Sequence, residues 1–498
     1  MSHTRTTRSL RAGLFVLALL AVPAAYADEF PEANDTIFRA LIDELNRSMT
    51  LQLEDLEKPY FIQYGVNDTH TRRVSASYGA IVRETDNRSR RLNTAVRVGS
   101  KELDNTNFGN GGGFGRRGRR GGGGGARGGA TLPLDNDYTA MRQAIWGATD
   151  GQYKSAVETL TEKKAYMEDR ESEDRPDDFA DAPVTVDVQP KAVLITDDSG
   201  WRERVRRYSG LFAKYAHVTD SSVSLRNTAA NKYLVNSDGT RLRTATTTVQ
   251  LQIRAQSRAA DGRTLSDGET YLAASEAELP SDAEIVSGIE ALAARLLELR
   301  NAPVLDHYFG PVLFDGIAAC QVFQSLLAQG FAAQPVQVGG GRRRFGGSEN
   351  LERRMGRNIL PAGFQVFDDP REQKLGNKFL AGHYRYDDDG VAAQRVDLIE
   401  DGRLVGLVMS RVPSKTLSGS TGHGRGNRGG ANRAALGCLY ITGADPKSDA
   451  ELTAELIAQA KDQGLEFALR VKALSGGAGA GNVAAMMARF RRGGGGGG

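Results

Sequence analysis

The sequence predicts an α+β protein, because two kinds of periodicity follow one another along the chain. Capped amphipathic helices are followed by groups of segments in which apolar and polar residues alternate, with turn residues between the segments. Consecutive strands joined by short turns are typical of antiparallel sheets. We therefore expect an N-terminal α/β portion with an antiparallel meander, and a C-terminal, mainly antiparallel β portion with packed helices.

The N-terminal portion opens with a capped helix. Asn34 or Asp35 precedes an apolar stripe with helical spacing, so we expect the helix to begin there. Alternating segments at 60–68, 74–85 and 92–99 predict three strands of a meander. A long helix is then predicted from about Tyr138 to Arg170.

A second cycle of strands and helices follows. Residues 223–257 predict successive strands with a turn at 237–239, and Ser281 and Glu284 form a capping box for the next helix. Residues 312–331 predict a short strand that runs into an apolar helix, for which an ordinary core helix is one interpretation.

The last third of the chain is β-rich. Two Asp-Gly turns within 385–411 predict hairpins, and 436–443 predicts a further strand. A final helix is predicted at 449–464, followed by a strand at 465–474.

Residues 1–27 have the pattern of an export signal. Arg5, Arg8 and Arg11 precede the apolar run Gly13–Val22, which is too short to span a bilayer, and a small-residue cleavage site ends at Ala27. We therefore expect a periplasmic or secreted protein without a membrane span. Removing the three arginines lowers the formal charge from +3 to 0, which makes nucleic acid an unlikely partner because its binding proteins usually have a basic excess.

Glycine- and arginine-rich segments interrupt the ordered pattern. Residues 109–129 contain 13 glycines and 5 arginines, and shorter segments of this kind occur at 339–347, 419–430 and 490–498. Such segments bury too little apolar surface to offset chain entropy, so we expect surface loops.

These features divide the chain into four parts. We expect the signal peptide at 1–27, an N-terminal domain at 28–275 with its insert, a β-rich central and C-terminal domain at 276–475, and a glycine-rich tail at 476–498.

Several motifs, in a fixed order, resemble those of a known family. Residues 386–425 contain an acidic-Gly turn, a Gln before a strand, an Ile-Glu-x-Gly-x-Leu hairpin and a glycine-rich turn with a histidine and an arginine. "GPVLFDG" at 310–316 resembles the strand before the family's central helix, and "VNSDGT" at 235–240 resembles a hairpin of its first half. Together the motifs resemble the TldD/PmbA family, the modulator-of-DNA-gyrase peptidases.

The resemblance implies dimers that enclose a shared cavity, and zinc peptidase activity in the metal-binding members. Those members have a His-Glu-x-x-x-His helix and a further cysteine ligand, which Cys438 does not match. Aligned through 310–316, that helix falls on Gln324, Ser325 and Gln329. Neutral amides are poor zinc ligands, and a serine hydroxyl is no general base at neutral pH.

The resemblance therefore implies a non-catalytic or degenerate subunit that helps to process peptides. We expect no cofactor in this chain, zinc only in a partner, and a homo- or hetero-dimer with a TldD-like subunit. Two alternatives remain open. One is a self-sufficient metal-dependent hydrolase with ligands such as His383, His423 and Cys438, and the other is a non-enzymatic envelope protein that binds through its Arg-Gly loops.

Three residues are candidates for contacting a peptide in the family's cavity, namely His423, Arg425 and His383. The run Asp387–Asp389 lacks the twelve-residue loop of an EF-hand, so we expect a solvated turn rather than a calcium site. Cys320 and Cys438 could form one disulfide, and two buried free thiols fit their apolar surroundings equally well.

Overall fold

The structure, a computed structural model, is α+β and describes most of the chain. The described residues are 34–109, 129–168, 175–194, 198–305, 307–328, 330–339, 351–428 and 431–474. The predicted signal peptide, the interior of the 109–129 insert, the glycine-rich tail and Gln329 lie outside these residues, so the predictions made for them stay predictions.

A seven-stranded sheet forms most of the N-terminal portion. Its strands are β1 (Pro59–Ser77), β2 (Ala80–Val98), β3 (Gly129–Thr131), β4 (Val186–Val188), β5 (Val218–Asn236), β6 (Arg241–Arg258) and β7 (Thr264–Ala273). The order across the sheet is β3-β2-β1-β5-β6-β4, and β7 also pairs with β6. All pairs are antiparallel except β4 with β6. The predicted turn at 237–239 joins β5 to β6 and is confirmed.

The antiparallel meander is present as β1, β2 and β3, but the strand bounds predicted at 60–68, 74–85 and 92–99 are wrong, because these segments form one long hairpin. β1 and β2 pair along their whole length, and the chain reverses at Tyr78 and Gly79. These residues have φ values of 47° and 85°, the left-handed conformation that favoured two-residue hairpin turns require. The middle of both strands is polar, and this polar stretch gave no alternating pattern from which to predict a continuous strand.

Four helices cover one face of this sheet. They are α1 (Thr36–Ser48), α2 (Tyr138–Glu168), α3 (Asp198–Gly210) and α4 (Asp282–Asn301). Side chains alternate between the two faces of a strand, and the positions of one parity pack into apolar clusters with the helices, among them Tyr64, Tyr233 and Leu251. The predicted caps are confirmed: Asp35 caps α1, and Ser281 begins α4 with a capping box.

The C-terminal portion contains short strands and two further helices. They are β8 (Val312–Phe314), α5 (Ile317–Phe323), β9 (Gln365–Asp368), β10 (Lys374–Leu375), β11 (Lys378–Phe379), β12 (Val396–Glu400), β13 (Arg403–Leu404), β14 (Gly424–Arg428), β15 (Ala431–Ala434), β16 (Leu439–Thr442), α6 (Asp449–Asp462) and β17 (Leu469–Val471). A four-stranded antiparallel sheet has the order β13-β12-β9-β16. Its apolar residues belong to a core cluster that includes Phe331, Leu398 and Val408. None of the helices in the described residues is long and apolar enough to cross a membrane.

Helix α5 is not the core helix that its apolar spacing predicts. It continues as a π-helical turn over Gln324–Ala328, and Ala318 is its buried residue. Ile317 and Leu326 are 67% and 57% exposed. Apolar spacing indicates a helix face but does not say whether another element covers it, so the interpretation as an ordinary core helix is wrong.

A buried arginine joins the C-terminal portion to the large sheet. The side chain of Arg411 is 1% exposed, and its Nη2 donates a hydrogen bond to Asp238 in the turn between β5 and β6, at 2.9 Å. Its Nε donates to the backbone oxygen of Ala180 at 2.9 Å, and the guanidinium lies 4.0 Å from the ring centre of Phe179. This contact fixes the C-terminal portion against the sheet.

Candidate functional site

A cavity of about 960 Å³ lies between the large sheet and the C-terminal portion. Its floor is formed by β1, β2, β5 and β6, and its wall comes from residues 373–389 with Arg425 and Asn432. A volume of this size lies within the range of ligand-binding cavities.

The floor is the face of the sheet that the four helices leave uncovered. On β1, the residues that face the cavity are Gln63, Gly65 and Asn67, which alternate with the buried Tyr64 and Val66. Gly65 keeps the middle of the floor open, because the nearest atom to a Cβ placed there would be a backbone oxygen at 4.0 Å.

Polar side chains continue the floor across the neighbouring strands. Lys232 of β5 lies opposite Asn67, and Thr244 of β6 lies opposite Lys232. The floor on β6 extends along Thr246 and Thr248, whose side chains share the face of Thr244. Amide, ammonium and hydroxyl groups can hydrogen-bond the backbone of an extended peptide.

Asp388 ties the wall to the floor. Its backbone oxygen accepts a hydrogen bond from Gln63 Nε2 at 2.8 Å, and its carboxylate forms an ion pair with Lys232. Both contacts link the C-terminal portion to strands of the N-terminal sheet, so the shape of the cavity depends on both portions.

Two arginines of the wall lie close to acidic side chains. Arg425 lies 4.3 Å from the ring centre of Tyr384 and 4.0 Å from Asp388, whose carboxylate is already paired with the floor. Arg385 reaches the carboxylate of Asp187 at 3.3 Å. Since Arg425 is 39% exposed at the side chain, its guanidinium is accessible to an anionic group.

The predicted solvated turn at Asp387–Asp389 is wrong, because Asp387 and Asp389 are only 1% and 7% exposed. Asp387 accepts hydrogen bonds from the backbone N–H groups of Asp389, Val391 and Gly424 at 3.0, 2.9 and 2.7 Å. Asp389 accepts one from Asn432 Nδ2 at 2.7 Å. Burial and the charge of Asp389 raise the pKa of Asp387, and burial raises the pKa of Asp389. The Asp-Gly signal indicates a turn but not the distant residues that cover it.

The structure brings two of the three predicted contact residues to the cavity. His383 and Arg425 line it, and their contact with a peptide stays a prediction. His423 is fully buried, with Nε2 at 2.9 Å from Asp368 Oδ2 and Nδ1 at 2.8 Å from the backbone oxygen of Thr421. It therefore holds the glycine-rich turn in place instead of lining the cavity.

His383, His423 and Cys438 do not form a metal site. In the described residues, no three His, Cys, Asp or Glu side chains are grouped in a way that could hold a metal ion. Burial, with the negative charges of Asp368 and Asp369, raises the pKa of Cys438 to about 11, so its thiol stays protonated at neutral pH. Both cysteines are free, and Cys320 is exposed rather than buried.

The residues expected at the family's zinc helix do not fit zinc. Gln324 is an exposed amide at the end of α5, and Ser325 Oγ donates to the backbone oxygen of Val322 at 2.9 Å. A neutral amide and a hydroxyl bonded to its own helix supply neither an anionic ligand nor a general base.

The C-terminal portion matches a family of known proteins. Residues 308–479 match the family described as the PmbA/TldA metallopeptidase C-terminal domain. This stretch of the chain belongs to the TldD/PmbA family. The recognition of this family from its motifs, and the α+β fold expected from it, are confirmed. No curated protein sequence matches the chain.

Solved structures connected with the TldD/PmbA family share the fold over most of the chain. TldE from Thermococcus kodakarensis has a TM-score of 0.52 at 13% identity, covering 84% of this chain and 80% of that one. A protein described as a modulator of DNA gyrase from Bacteroides thetaiotaomicron has a TM-score of 0.54 at 11% identity, covering 90% and 84%. Another from Thermotoga maritima has a TM-score of 0.52 at 13% identity, covering 79% and 76%. At these identities the likeness concerns the fold alone.

Reasoning from the sequence missed most of the floor of the cavity. Gly65, Lys232 and the threonines at 244–248 carry no motif and are brought together only by the pairing of strands. The available signal was the alternation itself. Positions 63, 65 and 67 are polar or small, and they alternate with apolar residues on a predicted strand.

Proposed function

We propose that this chain is a peptide-binding subunit of the TldD/PmbA family that lacks a zinc site of its own and works with a zinc-bearing subunit. The observation that carries the proposal is the cavity, whose floor is an uncovered polar sheet face and whose wall belongs to the matched metallopeptidase domain. A binding function without hydrolysis fits the side chains of Gln324 and Ser325, which offer no group that could activate water.

The floor suits an extended peptide. Asn67 and the threonines of β6 present donors and acceptors beside Gln63 and Lys232, which are anchored to Asp388, and Gly65 leaves room for a backbone. The predicted signal at 1–27 supports a periplasmic or secreted location for this function. Pairing with a zinc-bearing subunit would supply the hydrolytic chemistry that α5 lacks.

Filling the floor tests the binding site. Gly65→Phe adds a ring where a Cβ meets no atom closer than 4.0 Å, so the sheet should fold normally while the cavity closes. We expect fluorescence anisotropy to show that labelled unstructured peptides bind the native chain and bind Gly65→Phe at least about tenfold more weakly. Gly151→Phe is the matched control, because Gly151 is exposed on α2 with no atom within 4 Å of its added Cβ. Equal binding by Gly65→Phe and the native chain would place the peptide site elsewhere.

Zinc analysis, and mixing with a second subunit, test whether this chain binds the peptide while a zinc-bearing subunit hydrolyses it. We expect the purified chain to contain far less than stoichiometric zinc, and to support peptide cleavage only after a zinc-bearing TldD-like subunit is added. Stoichiometric zinc in the isolated chain, together with proteolysis that a chelator abolishes, would contradict the proposal.

A further inference from the structure

Four arginines form a patch on the same sheet face, beyond the cavity. Arg73 of β1 and Arg226 of β5 lie directly opposite each other. Arg83 of β2 and Arg254 of β6 lie on the flanking strands, within two rows of that pair. Residues of the same parity point to the same side of a strand, so all four lie on the face that floors the cavity. We call these four residues the arginine patch.

The arginine patch forms no ion pair with an acidic side chain in the described part of the chain. Arg83, Arg226 and Arg254 are exposed, and Arg73 is half-buried. Arg73 Nη2 lies 3.4 Å from Ser224 Oγ, and its buried Nε has no hydrogen-bond partner among the described residues. Burial, followed by the positive charges of the other three arginines, lowers the pKa of Arg73. Like charges placed opposite each other destabilise a sheet, so the patch costs stability when no anion occupies it.

The floor of the cavity continues into the arginine patch without a break. Thr248 lines the cavity, and the next residue of β6 on the same face, Gln250, lies opposite Arg226. Two residues along a strand span about 7 Å, so the edge of the cavity and the patch are neighbours. The row between them consists of threonines, with the hydroxyls of Thr71 and Thr228 at 3.2 Å. No bulky side chain of this row separates the two regions.

We propose that the arginine patch binds the acidic segment of a peptide whose neutral segment lies in the cavity. The inference rests on the proposed function and names its substrate class. Guanidinium groups bind carboxylates through paired, charge-assisted hydrogen bonds, and several such groups on one face suit a run of Asp or Glu. The row of Lys232 and the row of Arg226 are six residues apart, about 20 Å, so the acidic run begins about six residues from the part of the peptide that contacts Lys232.

An acidic peptide fits this surface better than a nucleic acid does. The patch crosses only four strands, about 15 Å, which is short for a backbone of regularly spaced phosphates. The net charge expected for the exported chain is 0, without the basic excess that such proteins usually have. Continuity with a cavity floored by amides and hydroxyls also favours a peptide.

Two peptides that differ only in charge test the inference. Each is a fluorescein-labelled peptide of about twelve residues with a neutral half, and the other half carries a run of glutamates in one peptide and glutamines in the other. Each composition is made in both chain directions. We expect the native chain to bind the glutamate peptide about tenfold more tightly in one direction, with the difference shrinking as salt rises. The double variant Arg226→Gln/Arg254→Gln should bind the two peptides with equal affinity. That affinity should match the affinity of the native chain for the glutamine peptide.

The control variant is Arg39→Gln/Arg300→Gln, which removes two exposed arginines from α1 and α4, on the opposite side of the sheet. It should keep the preference for glutamate. Equal binding of both peptides by the native chain, or a preference that survives in Arg226→Gln/Arg254→Gln, would overturn the inference and leave the proposed function standing. Failure of every peptide to bind would overturn both. Tighter binding of a single-stranded oligonucleotide that Gly65→Phe leaves unchanged would assign the patch to nucleic acid and also overturn the inference.

Discussion

The two faces of the large sheet are built from the same strands and serve different purposes. On β6, Leu251 and Ile253 face the helices and have no exposed surface, whereas the alternating residues Gln250, Gln252 and Arg254 face the other side. The helix-covered face provides the hydrophobic core, and its apolar residues determine stability. The opposite face is polar and holds the cavity and the arginine patch. In this sheet a shift of one residue along the strand separates a position in the core from a position on the face of the proposed binding site.

The largest expected effect comes from a matched pair of substitutions on β6. Ile253→Ala should lower the free energy of unfolding by about 2–5 kcal/mol, because it leaves a cavity in the helix-covered core. Gln252→Ala, its neighbour on the other face, should change it by no more than about 0.5 kcal/mol. Urea unfolding followed by circular dichroism measures both values. Similar losses in the two variants would mean that the faces do not divide stability and binding in this way.

The second effect concerns the buried pair beside the cavity. Because the pKa values of Asp387 and Asp389 are raised, the folded chain holds more protons than the unfolded chain between about pH 4 and the raised values, and stability falls as pH rises through that window. If the acid dissociation constant of one carboxyl differs tenfold between the folded and unfolded chain, the free energy of unfolding changes by about 1.4 kcal/mol. Burial alone would raise the pKa of Asp104, but Arg97 and Thr106 lower it. Asp104 therefore contributes to the pH dependence of stability only below about pH 4.

Asp387→Asn tests this pH dependence. Its NH₂ group will face a backbone N–H donor, so the variant should be less stable at every pH. Its stability should nevertheless change less with pH than that of the native chain between about pH 5 and pH 8, because one of the two interacting carboxyls no longer titrates. Urea midpoints across this range provide the measurement. Parallel curves for the two proteins would show that the pair carries no raised pKa.

The smallest effect is a gain in stability from a substitution on the polar face. Arg226→Gln removes a positive charge directly opposite Arg73 and should stabilise the chain by about 0.5 kcal/mol at low salt. The gain should shrink at high salt, where the repulsion is screened. Thermal unfolding at two salt concentrations measures it, with Arg300→Gln on α4 as the control that should show no gain. A loss of stability in Arg226→Gln would mean that the arginine is held by a favourable contact.

The sequence predicts the elements whose signals are local. The Asp35 cap, the Ser281–Glu284 box and the turn at 237–239 all depend on residues close together in the chain, and all three are confirmed. Predictions failed where distant residues decide the outcome. The centre of the β1–β2 hairpin is polar and is sustained by pairing on both sides, and the carboxyls of Asp387 and Asp389 are covered by Gly424 and Asn432.

In the candidate site, too, residues with a local sequence signal were predicted and residues brought together by distant strands were not. Arg425 and His383 lie in or near a recognisable motif and line the cavity, whereas Gly65, Lys232 and the arginine patch carry no motif. They come together only because long strands place them on one face. Register between strands is a tertiary property, and the sequence of one strand does not state which residues of its neighbour lie opposite.

Photo-crosslinking is the most direct test that the uncovered face of the sheet is a peptide-binding site. A peptide with a benzophenone group in its neutral half is irradiated with the native chain, and the attached residues are identified by mass spectrometry. We expect the crosslinks to fall on floor and wall residues such as Asn67, Thr246 and Tyr386, and to be lost in Gly65→Phe. Crosslinks that fall instead on the exposed side of α5, and are unchanged in Gly65→Phe, would contradict a binding site on this face.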